Sequence, residues 1–149
     1  MTVYISSDHR GFNLKQLLIE FMRAGSYDVR DLGPDRYDHD DDYPDFAARV
    51  AEKVAVEPGS RGIVICGSGG GVSIVANKYK GIRAVIGFSP DQAKATKVDE
   101  DTNILALSSD FVSAEHSRDV AEAWLKAEFS GEERHKRRLQ KIKEIEKRF

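Results

Sequence analysis

A cysteine followed at once by a glycine-rich turn is the feature of this sequence best suited to chemistry. The segment Cys66-Gly67-Ser68-Gly69-Gly70-Gly71 begins at the last residue of the apolar run 62–66, which is typical of a buried parallel strand. A helix that begins with glycines presents unpaired backbone N–H groups, which suit a phosphate or a developing oxyanion. The same groups favour the thiolate of Cys66, which would then act as a general base on a carbon acid.

The turn alone also permits a simpler interpretation, in which Cys66 is a buried core cysteine and the glycines only form a tight bend. It is not a Walker loop, because no Lys-Ser or Lys-Thr pair follows at the required spacing. It also lies in the middle of the chain, whereas a dinucleotide fingerprint usually follows the first strand. The turn therefore indicates an anion site with a possible base and nothing more specific.

Segments of strand type alternate with segments of helical periodicity along the whole chain. This alternation predicts an α/β fold, a three-layer sandwich with an open five-stranded parallel sheet covered on both faces and a charged C-terminal helix. In such sheets ligands bind beyond the carboxyl ends of the strands, where Ser7-Asp8-His9 and Cys66-Gly67-Ser68 are the most polar ends. The expected strands are 3–6, 27–31, 62–66, 84–88 and 103–107, and the expected helices are 12–25, 42–55, 72–78, 89–98, 113–125 and 132–149.

Composition narrows the class of protein. The 149 residues suit one domain, 1–149, and the 40% apolar and 32% charged residues indicate a globular chain. A net charge of -2 gives no general basic field for nucleic acid, and no apolar run has the length of a membrane span. A single cysteine and the lack of a basic leader at the N-terminus favour a reducing, cytoplasmic location.

Four motifs, in order along nearly the whole chain, resemble those of the type B ribose-5-phosphate isomerases and the related galactose-6-phosphate isomerases. They are Ser7-Asp8-His9-Arg10-Gly11 with Leu14-Lys15, Asp42-Tyr43-Pro44-Asp45-Phe46-Ala47, Cys66-Gly67-Ser68-Gly69 with Ala76-Asn77-Lys78 and Gly81-Ile82-Arg83-Ala84, and Arg134-His135. The resemblance implies a Rossmann-like fold with no metal or other cofactor. It also implies a homodimer or dimer of dimers whose active sites are shared between subunits.

The resemblance further implies an aldose–ketose isomerase in which a base moves a proton between C2 and C1 of a sugar phosphate through a cis-enediolate. Cys66 matches the cysteine base of many members. Other members use a glutamate at the position of Val72, which favours Cys66 here.

The other site residues are assigned by the same resemblance. Ser68 matches a proton relay between substrate oxygens, and Asp8, His9 and Tyr43 match residues that bind the sugar. Arg134 and Arg138 match phosphate-binding arginines, although a solvated helix face is the alternative that their spacing alone permits. The backbone of the turn matches the anion hole for the enediolate, with Gly67, Gly69, Gly70 and Gly71.

Three positions depart from the family pattern, and all three are acidic. Asp99 replaces the histidine that opens the furanose ring, Glu100 replaces an asparagine that binds ligand, and Asp110 replaces a phosphate-binding arginine. An unpaired carboxylate near a phosphate is repulsive by about 1 kcal/mol at about 4 Å with water-like screening. One interpretation is that Asp99 acts as the ring-opening acid/base. Another is that the substrate needs no ring opening, as with a tetrose 4-phosphate. A third is that the phosphate of the substrate lies elsewhere, or that the substrate has no phosphate. The alternative is that these are ordinary surface residues.

The default reaction is therefore ribose 5-phosphate to ribulose 5-phosphate. The alternatives are isomerisation of another sugar, such as a tetrose 4-phosphate or hexose 6-phosphate, and a non-catalytic sugar-phosphate-binding partner subunit. A flavodoxin-like nucleotide-binding module is a further interpretation of the α/β pattern. The aspartate-rich segment 35–45, which includes His39, is expected to be a solvated loop, with a metal site as the weaker alternative.

Overall fold

The computed structural model describes residues 1–149 as five strands and six helices in strict alternation until the last two helices. The strands are β1 Thr2–Ser7, β2 Asp28–Asp31, β3 Arg61–Cys66, β4 Ala84–Ile86 and β5 Ile104–Ser108. The helices are α1 Phe12–Ala24, α2 Tyr43–Val56, α3 Gly70–Ala76, α4 Pro90–Glu100, α5 Ala114–Lys126 and α6 Glu133–Glu146.

All five strands are parallel and form one sheet in the order β2-β1-β3-β5-β4. The register pairs Ser7 with Ile65 and Cys66 with Ser108, so β1, β3 and β5 end side by side. The polar residues that follow these three strands consequently meet at one edge of the sheet. This is the edge at which open parallel sheets bind their ligands.

The sheet has an apolar core on each face, which confirms the predicted three-layer α/β fold. On one face, α1 and α5 bury Leu18, Met22 and Trp124 against the strands. On the other face, α2 and α3 bury Val50 and Ala76. Strand residues such as Ile63 and Val64 are completely buried, as a parallel sheet covered on both faces requires. None of the helices has the combination of length and apolar character that crossing a membrane demands.

Most boundaries differ from the sequence prediction by one to three residues. β4 ends at Ile86 rather than at residue 88, because the Phe88 N–H donates to Gln92 Oε1 of α4 instead of to the sheet. α2 begins as predicted after Asp42, yet the Asp42 side chain makes no capping hydrogen bond. Ser89 and Ser113, the first residues of two predicted helices, cap α4 and α5, since each Oγ accepts the N–H three residues later.

Candidate active site

Cys66 is the last residue of β3, and the glycine turn folds back over its sulfur. The thiol is buried, with 4% of the residue exposed, and the Gly69 N–H donates to Cys66 Sγ at 3.2 Å. Gly69 has a φ of 76°, a left-handed conformation that only glycine adopts without strain, and this conformation turns the chain toward the sulfur. The turn thus holds a backbone donor on the atom that would carry the thiolate charge.

Two side chains border the turn on its open side. Ser68 is exposed, and its Oγ accepts the Gly70 N–H at 3.2 Å, which leaves the hydroxyl proton free to donate. The Tyr43 ring lies directly on Gly71, since a Cβ at that position would be 2.6 Å from Tyr43 Cζ. The structure therefore brings the predicted Ser68 and Tyr43 together at the turn that follows Cys66.

Asp8 and His9 follow β1, the neighbour of β3 in the sheet. The Asp8 N–H donates to the Ile65 carbonyl at 3.1 Å, and Asp8 Oδ1 accepts the Gly11 N–H at 3.1 Å. Burial raises the pKa of the Asp8 carboxyl above its ordinary value, although the Gly11 N–H opposes this shift. Asp8 is therefore a buried acid held by backbone at the strand end beside Cys66.

His9 is held by a residue that the sequence analysis did not select. The backbone N–H and Nδ1 of His9 both lie within hydrogen-bond distance of Asp41 Oδ1, at 2.9 and 2.7 Å. The hydrogen bond to Asp41 raises the pKa of His9 above its ordinary value, and partial burial opposes the shift. His9 is consequently biased toward its cationic form, which suits an anionic substrate.

Asp41 shows that the expected solvated loop is only partly solvated. Its side chain is 8% exposed, and its Oδ2 is buried without a hydrogen-bond partner. The run of aspartates hid this residue, because only the fold distinguishes the buried carboxylate from its exposed neighbours. Asp38, His39 and Asp40 lie close together at the surface of the same loop.

Asp110 is paired, so it is not the unpaired carboxylate for which repulsion of a phosphate was considered. Arg10, which follows His9, forms an ion pair with Asp110 through Nη2 and Oδ2. The two side chains lie against the Cα of Gly67, since a Cβ there would be 2.8 Å from Asp110 Oδ2 and 2.9 Å from Arg10 Nε. The sequence analysis listed Arg10 only as part of a motif, because nothing local signals its partner 100 positions away.

The remaining predicted residues form a second cluster, where the end of α4 meets α6. Asp99 Oδ1 lies 3.8 Å from Nδ1 of His135, which is buried and within 2.7 Å of Ser130 Oγ. Glu100 is next to Asp99 and lies in the field of His135 and Arg138. The pKa of Glu100 is raised mainly by loss of hydration and, to a smaller extent, by the Asp99 carboxylate. His135 and Arg138 oppose this shift.

The two clusters lie at opposite ends of the strands, one at the carboxyl ends and the other at the amino ends. The glycine turn follows the carboxyl end of β3, whereas Asp99 and Glu100 end α4, just before the amino end of β5. Five residues of β5 separate these ends, which is about 17 Å. Arg134 is exposed on α6 and bonded to Glu132, and no hydrogen bond or ion pair joins α6 to the glycine turn. One chain alone therefore brings together only the first cluster.

Comparisons with known proteins give matches over nearly the whole chain. The sequence model of the family described as Ribose/Galactose Isomerase matches residues 3–142. The ribose-5-phosphate isomerase B of Escherichia coli is 40% identical over 141 residues, covering 95% of this chain and 93% of the relative.

Two solved structures have the same fold over almost their whole length. The ribose-5-phosphate isomerase B of Mycoplasma genitalium, with bound ribulose 5-phosphate, superposes with a TM-score of 0.95 and 41% identity, covering 99% of this chain and 97% of that one. The enzyme from Clostridium thermocellum also gives a TM-score of 0.95, with 44% identity and 99% coverage of each chain.

Proposed function

This chain belongs to the ribose/galactose isomerase family, and we propose that it interconverts ribose 5-phosphate and ribulose 5-phosphate with Cys66 as the proton-transferring base. Membership of this family of aldose–ketose isomerases sets aside the flavodoxin-like interpretation. The observation that carries the proposal is the buried Cys66 thiol with the Gly69 N–H on its sulfur, beside Asp8, His9 and Tyr43.

Cys66 performs the proton transfer at carbon. Its thiolate removes the proton from C2 of the open-chain aldose, and the C–H electron pair forms a C1=C2 double bond while O1 takes the negative charge. The O2 proton then passes to O1, the O2 electron pair forms the ketone carbonyl, and the C1=C2 electron pair takes the proton back from the thiol at C1. The N–H from Gly69 stabilises the thiolate that must form before each turnover.

Ser68 and the backbone of the turn serve the oxygens of the enediolate. The Ser68 hydroxyl, which accepts from the Gly70 N–H, is free to pass a proton between O2 and O1. Because α3 has only seven residues, stabilisation of the oxyanion comes from N–H groups close to it rather than from a long helix dipole. Asp8, His9 and Tyr43 bind the sugar hydroxyls around this centre.

A second copy of the chain completes each site in this proposal. Asp99, Glu100, Arg134 and Arg138 cannot reach Cys66 of their own chain, since the sheet separates them. A dimer, or a dimer of dimers, brings the same residues of a second copy to the glycine turn. Support comes from large apolar side chains left exposed on α3, on the edge strand β4 and just after it, namely Ile74, Ile86 and Phe88.

Asp99 is the proposed acid/base for opening the furanose ring. Its carboxylate lies 3.8 Å from Nδ1 of His135, so proton exchange between the two requires only a small approach. The competing substrate is a tetrose 4-phosphate, which forms no furanose ring because its 4-oxygen is blocked. This alternative belongs to the same reaction class, because a tetrose 4-phosphate would undergo the same aldose–ketose isomerisation without ring opening.

The test is deuterium exchange at C2 in heavy water, followed by NMR with ribose 5-phosphate, tetrose 4-phosphates, hexose 6-phosphates and free ribose. The protein is expected to exchange the C2 proton of ribose 5-phosphate and to form ribulose 5-phosphate. Cys66→Ala is expected to lower kcat by at least about 100-fold, because it removes the base, with a small change in KM.

Ser60→Ala is the matched control, since it removes one side-chain oxygen just before the opposite end of β3. Its melting temperature and that of Cys66→Ala report folding, and its turnover is expected to match the parent. Normal exchange by a folded Cys66→Ala protein contradicts the role of Cys66. If the parent protein turns over only a tetrose phosphate, ribose 5-phosphate is not the substrate, but the role of Cys66 as the base is unaffected.

A further inference from the structure

The Arg10–Asp110 ion pair lies on the glycine turn and has no role in the reaction described so far. Arg10 Nε and Asp110 Oδ2 are both within 3 Å of where a Gly67 Cβ would be, and Gly67 is the residue next to Cys66. The pair therefore borders the space that a substrate bound at the turn would enter.

The two members of the pair are held very differently. The Asp110 N–H donates to the Gly67 carbonyl at 3.0 Å, and the preceding Ser109 N–H donates to the Cys66 carbonyl at 3.0 Å. Asp110 is thus fixed to the backbone of the turn. Arg10 is 58% exposed along its side chain and has Asp110 as its ion partner. Arg10 is therefore the member that is free to move toward a ligand.

Arg10 is also a cation with donors to spare at this edge of the sheet. His9 is already hydrogen-bonded to Asp41. Lys15 is buried, and its Nζ donates to Asp31 and to the Pro34 carbonyl. A guanidinium carries five N–H donors, and one carboxylate oxygen occupies only part of this fork. The unused donors match the geometry of a phosphate group.

We propose that Arg10 binds the phosphate of the substrate and that Asp110 is a positioning residue, a resident counter-anion that competes with this phosphate for the guanidinium. The inference rests on the proposed function, because it concerns the same site. Removing the cation then weakens phosphate binding, whereas removing the carboxylate strengthens it. A purely structural ion pair predicts that both changes damage the site alike.

The experiment measures binding of inorganic phosphate by titration calorimetry, together with KM and kcat for ribose 5-phosphate. Arg10→Gln is expected to raise the phosphate Kd and KM about tenfold with little change in kcat. Asp110→Asn is expected to lower both about fivefold, as expected for the loss of one like charge at about 4 Å. In the Arg10→Gln background the gain from Asp110→Asn is expected to shrink, because no guanidinium remains to be released.

Arg30→Gln is the matched control, since Arg30 forms an exposed ion pair with Asp28 on the outer strand β2. It is expected to leave the phosphate Kd, KM and kcat unchanged. Weaker phosphate binding in both single variants, or no change in either, overturns the proposal. If ribose 5-phosphate is not a substrate and the two variants still shift the phosphate Kd in opposite directions, the proposed function fails while this inference stands.

Discussion

His9 depends on Asp41 for both its position and its charge. The Asp41 carboxylate receives the His9 backbone N–H and lies 2.7 Å from His9 Nδ1. The same hydrogen bond raises the pKa of His9. Because the folded pKa lies above the unfolded value of about 6.5, this contact stabilises the fold fully below that pH. The contribution is lost as the pH rises through the folded pKa of His9.

Asp41→Asn is expected to lower the pKa of His9, because the amide keeps an acceptor but loses the negative charge. The new NH2 group takes the place of Asp41 Oδ2, which is buried without a partner. NMR titration of the His9 ring measures the shift, and His39 and His116 in the same spectra are the internal controls. Loss of affinity for the anionic substrate with rising pH should begin at lower pH in the variant. An unchanged His9 midpoint contradicts this assignment.

Asp99→Asn tests ring opening at the second cluster. The variant keeps the size of the side chain and removes its ability to exchange a proton with His135. We expect kcat for ribose 5-phosphate to fall at least about tenfold, with deuterium exchange into open-chain substrate unaffected. Glu115→Gln, which changes an exposed acid in the first turn of α5, is the control. Equal losses on a tetrose phosphate contradict a role in ring opening.

Candidate site residues could be selected from the residues alone only where the signal is local. Cys66 and Ser68 stand in a glycine turn at a strand end, so their chemistry is visible in a short segment. Asp41 and Arg10 were missed because their partners, His9 and Asp110, are 32 and 100 positions away. The pairing of Asp110 was missed for the same reason, since its counter-charge comes from the loop after another strand.

At the scale of whole elements, a side chain at the start of β3 caps the end of α5. Arg61 is buried, and its guanidinium donates to the carbonyls of Trp124, Leu125 and Ala127 at 2.8–2.9 Å. These are carbonyls at a helix C-terminus, which have no partner within the helix. Arg61 therefore ties the sheet to the helix that covers it.

Arg61→Ala is expected to lower the free energy of unfolding by about 3 kcal/mol, because it leaves several buried carbonyls unsatisfied. Urea denaturation measures the change. Arg61→Lys retains the charge but not the fork, and should recover only part of the loss. Arg118→Ala, an exposed arginine of α5 paired with Asp119, should change the free energy by less than about 0.5 kcal/mol. A small effect of Arg61→Ala contradicts the capping role.

The elements themselves were largely predictable, because their signals are periodic and short in range. Ser89 and Ser113 marked their helix starts correctly, since an N-cap bonds to a residue three positions away. The end of β4 was not predictable, because it depends on Gln92 of α4 folding back onto the Phe88 N–H and the Ile86 carbonyl. That competition exists only once the helix has formed.

For the whole molecule, the sheet order decides which residues can meet within one chain. Asp8, Cys66 and Asp110 lie together at the carboxyl ends of β1, β3 and β5. Asp99 lies near the amino ends of the strands, because α4 runs antiparallel to them. Composition and periodicity predicted the layers but not this separation, which depends on the direction of each helix. The proposed site therefore requires a second copy of the chain, and this requirement can be tested without a structure of the assembly.

Mixing two variants, each defective in one cluster, supplies that test when the recovery is measured as kcat/KM at low substrate concentration. Cys66→Ala lacks the base of the first cluster, and Arg138→Ala lacks a basic group of the second. If each site combines one cluster from each copy, a mixed dimer has one site with both defects and one intact site. Random assembly makes half of the dimers mixed, so co-expression is expected to restore about a quarter of the parental kcat/KM. Cys66→Ala co-expressed with Ser68→Ala, both in the first cluster, is the control and should restore none. No recovery in the test pair means that each site is built from a single chain. Recovery in the control means that Cys66 and Ser68 reach one site from different copies, which contradicts the proposed division into clusters.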